Sequence, residues 1–189
     1  MFERFTDPAR QSVIGTQEEV RSLNAPQVLP VHLLVGIVAA AEKSSPSLAA
    51  LLGGYGLTSV RLHAELQELG EGHDDASALE SLGIDVAQVR RAVDGQFGEG
   101  TLDGAAPAPK TRRSLFRAAG QIPFSAGARD VLTNSLRESK AHGDGDIGVE
   151  HLLLGLLRGA DPTAAALINR TVEPEELRTR ILGLMDAAA

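Results

Sequence analysis

The feature that most constrains this chain is an internal repeat. Shifting the sequence by 119 residues brings a His-Leu-Leu string onto a second copy of itself and aligns the glycine that follows each copy. A repeat of this kind marks a supersecondary unit that buries its apolar face against its copy. The identical pairs that carry the alignment are Phe5 with Phe124, Ala9 with Ala128, Arg10 with Arg129, Glu19 with Glu138, His32 with His151, and Gly36 with Gly155.

Each copy has the pattern of four helices. From Asp7 to Leu23, apolar and small residues recur every three or four positions, which puts them on one helical face. Prolines mark several of the later helix starts, because proline suits the first helical turn. The expected starts are Pro30, Pro46 and Ser59 in the first copy and Val149, Pro162 and Pro174 in the second. The fold class is therefore all-α, with eight helices in two repeats that pack as one domain.

Local features of these helices carry two further predictions. Gly36 and Gly155 each lie inside the second helix of a copy, where glycine costs about 1 kcal/mol relative to alanine. A neighbouring backbone is therefore expected to pack against both glycines. Ser45 and Asp161 precede the third helix of each copy, and their side chains are expected to cap it.

A long segment of different composition separates the copies. We predict a first repeat over 1–70, an inter-repeat segment over 71–121 and a second repeat over 122–189. Residues 76–97 have helical spacing, whereas residues 98–109 are rich in Gly, Ala and Pro and predict a flexible tether. The basic cluster at Lys110–Arg117 is either a solvated linker or a docking arm for an acidic partner.

Composition narrows the classes of function. Of the 189 residues 43% are hydrophobic and only 3% aromatic, so the core consists mainly of Leu, Ile, Val and Ala. A formal charge of −7 argues against a general nucleic-acid binder, whose phosphate contacts need a basic surface. The absence of cysteine excludes disulfides and thiolate chemistry. Because the N-terminus lacks a signal-peptide pattern and the longest apolar run, 31–41, is too short to cross a bilayer, we expect a cytoplasmic protein without a membrane partner.

The sequence offers no recognisable catalytic or metal-binding motif. His63, His73 and His142 lack partners at metal-ligand spacing. Asp144 begins a string that resembles a calcium loop, but Gly155 occupies the position of the closing glutamate. Nucleophile-elbow and phosphate-loop motifs are missing as well. We therefore predict no enzyme activity, no catalytic residue, no metal and no cofactor.

Several strings resemble the N-terminal double repeat of Clp-type AAA+ unfoldases, nearest to that of ClpC. They are Met1–Asp7, Gln17–Glu19, Gln121–Ser125 and Ile147–Leu157. The resemblance implies two pseudo-twofold Clp R repeats without ATPase activity, which capture substrates and adaptors for an unfolding ring and its protease. It also implies that His32 and His151 are structural hydrogen-bonding residues. Since the chain ends soon after the second repeat, it resembles a stand-alone member of this group.

The resemblance implies a binding surface where the repeats meet near the chain start. In the family this surface binds adaptors and cyclic-peptide antibiotics. The matching positions are Phe2, Arg10, Val13, Phe124 and Arg129. Exposed phenylalanines on a polar rim are typical anchors for a partner. The alternative is that both phenylalanines only fill the junction between the repeats.

The resemblance implies a second site at Glu150. In some family members, the glutamate of a Thr-Glu-His motif recognises phosphorylated arginine, since a carboxylate can pair with guanidinium N–H groups. Glu150 matches that glutamate, although Val149 replaces the threonine, and Pro30 and Val31 replace both residues in the first copy. Alternatively, Glu150 is a first-turn carboxylate that stabilises the helix dipole by about 0.3–1 kcal/mol.

The leading hypothesis is a non-catalytic binding module of Clp proteolysis. It would recruit clients to the Clp machinery, or compete with the unfoldase for adaptors, substrates or peptide antibiotics. One alternative is a helical regulator that binds nucleic acid or another acidic partner through Lys110–Arg117. Another is a small hydrolase or metal enzyme built on a helical bundle.

Overall fold

Eight α-helices make up the described part of the computed structural model, which covers residues 2–23, 25–71 and 122–187. After a 3₁₀ turn at Phe2–Arg4, the first repeat contains α1 (Asp7–Ser22), α2 (Pro30–Ser44), α3 (Pro46–Gly54) and α4 (Ser59–Glu71). The second repeat contains α5 (Ala126–His142), α6 (Val149–Gly159), α7 (Pro162–Asn169) and α8 (Pro174–Asp186). Within these ranges the β-structure is limited to isolated bridges, so the all-α prediction is confirmed.

The two repeats belong to one compact unit, which contains residues 1–64 and 121–189. Residues 65–120 cluster separately, and the structure describes only 65–71 of them, at the end of α4. The predicted helical stretch 76–97, the tether 98–109, the basic cluster Lys110–Arg117 and His73 lie outside the described residues. No helix in the described ranges is both long and apolar enough to cross a membrane.

The helices begin where the sequence predicts. Four of them start at a proline, namely Pro30, Pro46, Pro162 and Pro174. Asp161 caps α7, because its Oδ1 accepts the backbone N–H of Ala164 at 3.0 Å. The cap prediction for Ser45 is wrong. Its side chain makes no capping bond to α3 and donates instead to Glu150 in the other repeat.

Two crossed β-bridges join the repeats. The first arm, residues 2–6, pairs with the loop before α6 through Phe5 and Ile147, and the second arm, residues 122–125, pairs with the loop before α2 through Phe124 and Val28. Four backbone hydrogen bonds of 2.6–3.1 Å hold these pairings. Because the shift of 119 residues converts one bridge into the other, the repeats are related by a pseudo-twofold axis.

Helices α2 and α6 form the centre of the core, and each is approached closely by the first helix of its own repeat. A Cβ atom added at Gly36 would lie 2.8 Å from the carbonyl oxygen of Ser12. One added at Gly155 would lie 2.7 Å from the carbonyl oxygen of Val131. The prediction that a neighbouring backbone packs against both glycines is confirmed, and the same contact recurs at equivalent positions.

Candidate functional site

Arg10 and Arg129 fix the two arms in the same way. The Nη2 of Arg10 donates to the carbonyl oxygen of Phe5 at 3.1 Å, while its Nη1 pairs with Asp7 at 3.0 Å. The Nη1 of Arg129 donates to the carbonyl oxygen of Phe124 at 2.7 Å. Each guanidinium therefore holds the arm that forms a crossed bridge.

The predicted apolar members of the binding surface differ in accessibility. Val13 is only 5% exposed and belongs to the core, so it offers almost no contact area to a partner. Phe124 is half-buried beside its bridge, so it partly fills the repeat junction and partly faces solvent. Phe2 lies in the 3₁₀ turn of the first arm. The structure thus brings Arg10, Phe124 and Arg129 to the crossed bridges and removes Val13 from the surface.

An apolar pocket of about 240 Å³ opens beside the first bridge. It is lined by Glu3, Arg4, Phe5, Leu132, Leu136 and Ile147. We name it the arm pocket. The sequence did not single out Leu132, Leu136 or Ile147 as site residues, because the pocket forms only where the first arm meets the second repeat.

At the equivalent position of the first repeat, a glutamine side chain pairs with the second arm. The Nε2 of Gln17 donates to the carbonyl oxygen of Ile122 at 2.9 Å, and the backbone N–H of Ile122 donates to the Oε1 of Gln17 at 2.9 Å. This side-chain amide therefore pairs with the second arm as a neighbouring strand would. In the repeat alignment, Leu136 of the arm pocket corresponds to Gln17 of the first repeat. Glu3 of the first arm corresponds to Ile122 of the second arm. A leucine side chain cannot form these hydrogen bonds, and the arm pocket lies at this position instead.

A larger cavity of about 360 Å³ surrounds Glu150. The Oε1 of Glu150 accepts a hydrogen bond from the Oγ of Ser45 at 2.8 Å, which links the first turn of α6 to the start of α3. Glu150 thus has a partner in the other repeat. The residues that line this Glu150 cavity are Ser45, Ser47, Leu48, His142, Asp144, Glu150, His151, Leu184 and Met185.

The charges around the Glu150 cavity suit a cation better than an anion. Asp144 and Glu150 contribute carboxylates, and the described lining residues include neither lysine nor arginine. A phosphate would have to rely on the hydroxyls of Ser45 and Ser47 and on the ring of His142. The geometry therefore supports a guanidinium partner for Glu150 more than it supports a phosphate partner.

One histidine in each repeat caps its second helix. The backbone N–H of Gly148 donates to the Nδ1 of His151 at 2.9 Å, and that of Leu29 donates to the Nδ1 of His32 at 3.0 Å. Burial lowers the pKa of both imidazoles, which keeps these acceptor nitrogens unprotonated. The contacts fit the structural role that the resemblance implies.

The fold gives His142 the partners that sequence spacing did not reveal. Its Nδ1 lies 3.0 Å from the Oδ2 of Asp144, and its Nε2 lies 3.1 Å from the Oδ1 of Asp186. Partial burial opposes protonation of His142, but the hydrogen bonds to Asp186 and Asp144 outweigh it and raise the pKa. Asp186 is 44 residues away in sequence, on α8, so no local pattern could have indicated the contact.

The same region contains a possible metal-ligand geometry that the chemistry of His151 disfavours. One ligand atom each from His142, Asp144 and His151 lies within 4.8 Å of the others. Because the Nδ1 of His151 accepts the N–H of Gly148, the ring proton sits on Nε2, the atom that a metal would need unprotonated. That Nε2 lies 2.9 Å from Asp144 without a well-directed hydrogen bond, so the contact is that of a neutral N–H group near a carboxylate. The protonated Nε2 therefore fits this carboxylate better than it fits a metal ion.

A family match accompanies this geometry. Residues 69–171, more than half of the chain, match the family model described as the Clp repeat (R) N-terminal domain. The chain belongs to this family. The matched range runs from the end of α4 through the inter-repeat segment to the residues just after α7.

Relatives of this Clp repeat chain align with nearly all of it. The chloroplastic chaperone protein ClpC1 of Arabidopsis thaliana is 30% identical over 187 residues, which are 98% of this chain and 15% of the relative. A chloroplastic ClpA homolog of Brassica napus, an ATP-binding subunit of ATP-dependent Clp protease, is also 30% identical over 187 residues, 98% of this chain and 16% of the relative. The chain thus spans only a small part of the length of these relatives.

Solved structures show the same Clp repeat fold at lower identity. The N-terminal domain of the caseinolytic protease associated chaperone ClpD from Arabidopsis thaliana has a TM-score of 0.55 at 22% identity, covering 98% of this chain and 97% of that one. The Hsp104 N-terminal domain from Candida albicans has a TM-score of 0.54 at 17% identity, covering 97% and 92%. The fold implied by the resemblance is therefore confirmed.

Proposed function

We propose that this Clp double repeat is a non-catalytic binding module of ATP-dependent Clp proteolysis, and that it takes up peptide segments at the arm pocket. The observation that carries the proposal is a difference between the repeats: Gln17 of the first repeat corresponds to Leu136 of the second. In the first repeat an amide pairs with the second arm. In the second repeat the corresponding place is open and apolar.

The arm pocket suits an extended segment with one large apolar side chain. That side chain would pack among Phe5, Leu132, Leu136 and Ile147. The adjoining backbone amide would occupy the place that the amide of Gln17 holds in the first repeat. Extended peptides bind protein edges in this way, with backbone hydrogen bonds for affinity and a pocket for selectivity. Cyclic-peptide antibiotics present the same groups, so we expect them to bind at the same place.

The relatives support a role in Clp proteolysis, because they are named as a chaperone and as a subunit of Clp protease. We propose that the module either recruits substrates or adaptors to a ClpC-type unfoldase or competes with the unfoldase for them. The alternative of binding nucleic acid or another acidic partner depends on Lys110–Arg117, outside the described residues.

The experiment that tests the arm pocket replaces Leu136 with glutamine. By analogy with Gln17, the new amide is expected to pair with the backbone of Glu3 and close the pocket. Binding of fluorescein-labelled casein, an unfolded model substrate, should weaken by about tenfold, as for the loss of one apolar anchor. Lys140→Gln on the exposed face of α5 is the matched control and should bind like wild type. Equal affinity of Leu136→Gln and wild type would contradict the proposal.

Phosphoarginine recognition at Glu150 stays a prediction. Its support is a carboxylate that faces a cavity of about 360 Å³. Calorimetric titration with a phosphoarginine peptide and with the same peptide carrying plain arginine separates the two ligands. If phosphoarginine is the ligand, wild type should bind it more tightly than arginine. Glu150→Gln, which removes the carboxylate that would pair with the guanidinium, should weaken binding of the phosphoarginine peptide. Equal affinities in both proteins would remove the prediction.

A further inference from the structure

The imidazole of His142 lies between two carboxylates. Its Nδ1 is 3.0 Å from Asp144 and its Nε2 is 3.1 Å from Asp186. A neutral imidazole carries one N–H, whereas the imidazolium carries two. Only the charged ring can therefore donate to both carboxylates at once, so these two contacts fit a protonated His142.

These contacts connect the ends of two helices. His142 is the last residue of α5, Asp144 lies in the turn that follows, and Asp186 is the last residue of α8. The His142 side chain is 14% exposed, whereas that of Asp186 is 75% exposed. Leu184 and Met185, immediately before Asp186, line the Glu150 cavity. The position of the α8 end thus affects one wall of that cavity.

The charged groups around His142 favour its protonated form. Asp144 faces it from the turn, Asp186 from α8, and α6 contributes Glu150 and His151 nearby. The ring of His151 lies 6.2 Å away in an edge-on arrangement and is kept neutral by its burial and its backbone contact. Two carboxylates therefore contact His142, and neither lysine nor arginine is among the described residues that line the cavity beside it. This arrangement agrees with the raised pKa of His142.

We propose that His142 is a pH-sensitive contact that holds the C-terminal end of α8 against the turn after α5 and thereby shapes the Glu150 cavity. Loss of the proton removes one of the two donors. The remaining N–H stays with Asp144, which also interacts with His151 at 2.9 Å. The lone pair on the other nitrogen then faces Asp186, which is free to turn towards water. The end of α8 is released as the pH rises, and the cavity wall loosens.

This inference is independent of the arm pocket, and hydrogen exchange tests it directly. Exchange of the backbone amides of residues 181–186 is measured at about pH 6 and about pH 8, with a chelator present, and corrected for intrinsic rates. Wild type should lose protection at the higher pH by up to about fivefold, the range of an exposed ion pair. His142→Gln should be weakly protected at both pH values.

Two further variants and one titration complete the test. Asp186→Asn changes an exposed side chain and should reproduce the loss seen in His142→Gln. His63→Gln, which changes a histidine on α4, is the control and should keep the wild-type pH dependence. The ring of His142, followed by NMR, should titrate above 6.5, the ordinary value. Equal protection of wild type at both pH values, a pH dependence that survives in His142→Gln, or a ring that titrates at or below 6.5 would overturn the proposal.

Discussion

Arg178 on α8 donates a hydrogen bond over 2.7 Å to Glu138 on α5, whose side chain is only 2% exposed. Arg158 donates to the second carboxylate oxygen at 2.9 Å. Burial acts to raise the pKa of Glu138, but the hydrogen bonds from the two arginines outweigh it and lower the pKa. At the corresponding positions of the first repeat, the Nδ1 of His63 lies 2.5 Å from the Oε1 of Glu19. The second repeat therefore contains a permanently charged arginine where the first contains a histidine.

Replacing Arg178 should destabilise the protein more than replacing His63. Arg178→Met leaves the buried carboxylate of Glu138 with Arg158 alone, and a buried charge that loses a partner is costly. We expect the free energy of unfolding in urea at neutral pH to fall by about 1–3 kcal/mol. His63→Met, in the more exposed pair, should lower it by less than about 1 kcal/mol. Equal losses in the two variants would contradict this ranking.

Gly155→Ala adds only one methyl group but should destabilise the folded protein strongly. The added Cβ would lie 2.5 Å from the backbone nitrogen of Ser135, so α5 and α6 would have to separate. Overpacking of this kind costs about 1–3 kcal/mol. Gly183→Ala on α8 is the matched control, because its Cβ would meet nothing within 4 Å. It should raise stability by about 0.5–1 kcal/mol, and thermal melting that shifts both variants in the same direction would contradict the account.

The glycine contacts illustrate which parts of the fold can be predicted from the sequence. A glycine inside a helix is a local cost, and its recurrence at Gly36 and Gly155 indicates a structural cause. Helix starts at Pro30 and Pro162 are also local, since the proline ring alone favours them. Ser45 shows the limit of this reasoning. Its sequence position is that of a cap, but its hydroxyl donates to Glu150, 105 residues away, and only the packed fold brings the two together.

The candidate site was less predictable than the fold for the same reason. Val13 matched a binding position, but its place on the apolar face of α1 puts it in the core. The contact of His142 with Asp186 joins two helix ends and leaves no local signal. The sequence does contain one indication of the arm pocket. The repeat alignment pairs Gln17 with Leu136, and the difference between an amide and an apolar side chain at equivalent positions marks a place where the pseudo-symmetry fails.

Acid should weaken the fold through the capping histidines. Burial holds the pKa of His32 below its ordinary value of 6.5, so the unfolded chain binds a proton that the folded protein does not. This contribution to stability is complete above 6.5 and is lost as the pH falls from there towards the lowered pKa, by at most about 1.4 kcal/mol per pH unit.

Urea unfolding of wild type and His32→Gln at about pH 7.5 and about pH 5.5 measures this contribution. The variant should lose less stability on acidification than wild type does. Thr133→Ala, whose hydroxyl donates to Arg129 within α5, is the control and should respond to acid as wild type does. If acidification lowers the free energy of unfolding of His32→Gln as much as that of wild type, the imidazole of His32 does not contribute to acid sensitivity as predicted.

The hydrogen bond between Ser45 and Glu150 should be measurable as a coupling between the repeats. Its oxygen atoms are 2.8 Å apart at the junction of α3 and α6, and both residues are partly buried, so solvent replaces the contact only in part. A double-mutant cycle with Ser45→Ala and Glu150→Gln should give a coupling free energy of about 0.5–1.5 kcal/mol in urea unfolding. Thr133→Ala is the control partner, because its hydroxyl donates to Arg129 within α5 and should show no coupling to Glu150→Gln. If Ser45 and Glu150 behave additively, the carboxylate is not committed to the junction. Glu150 would then stabilise α6 only as a first-turn carboxylate that interacts with the helix dipole.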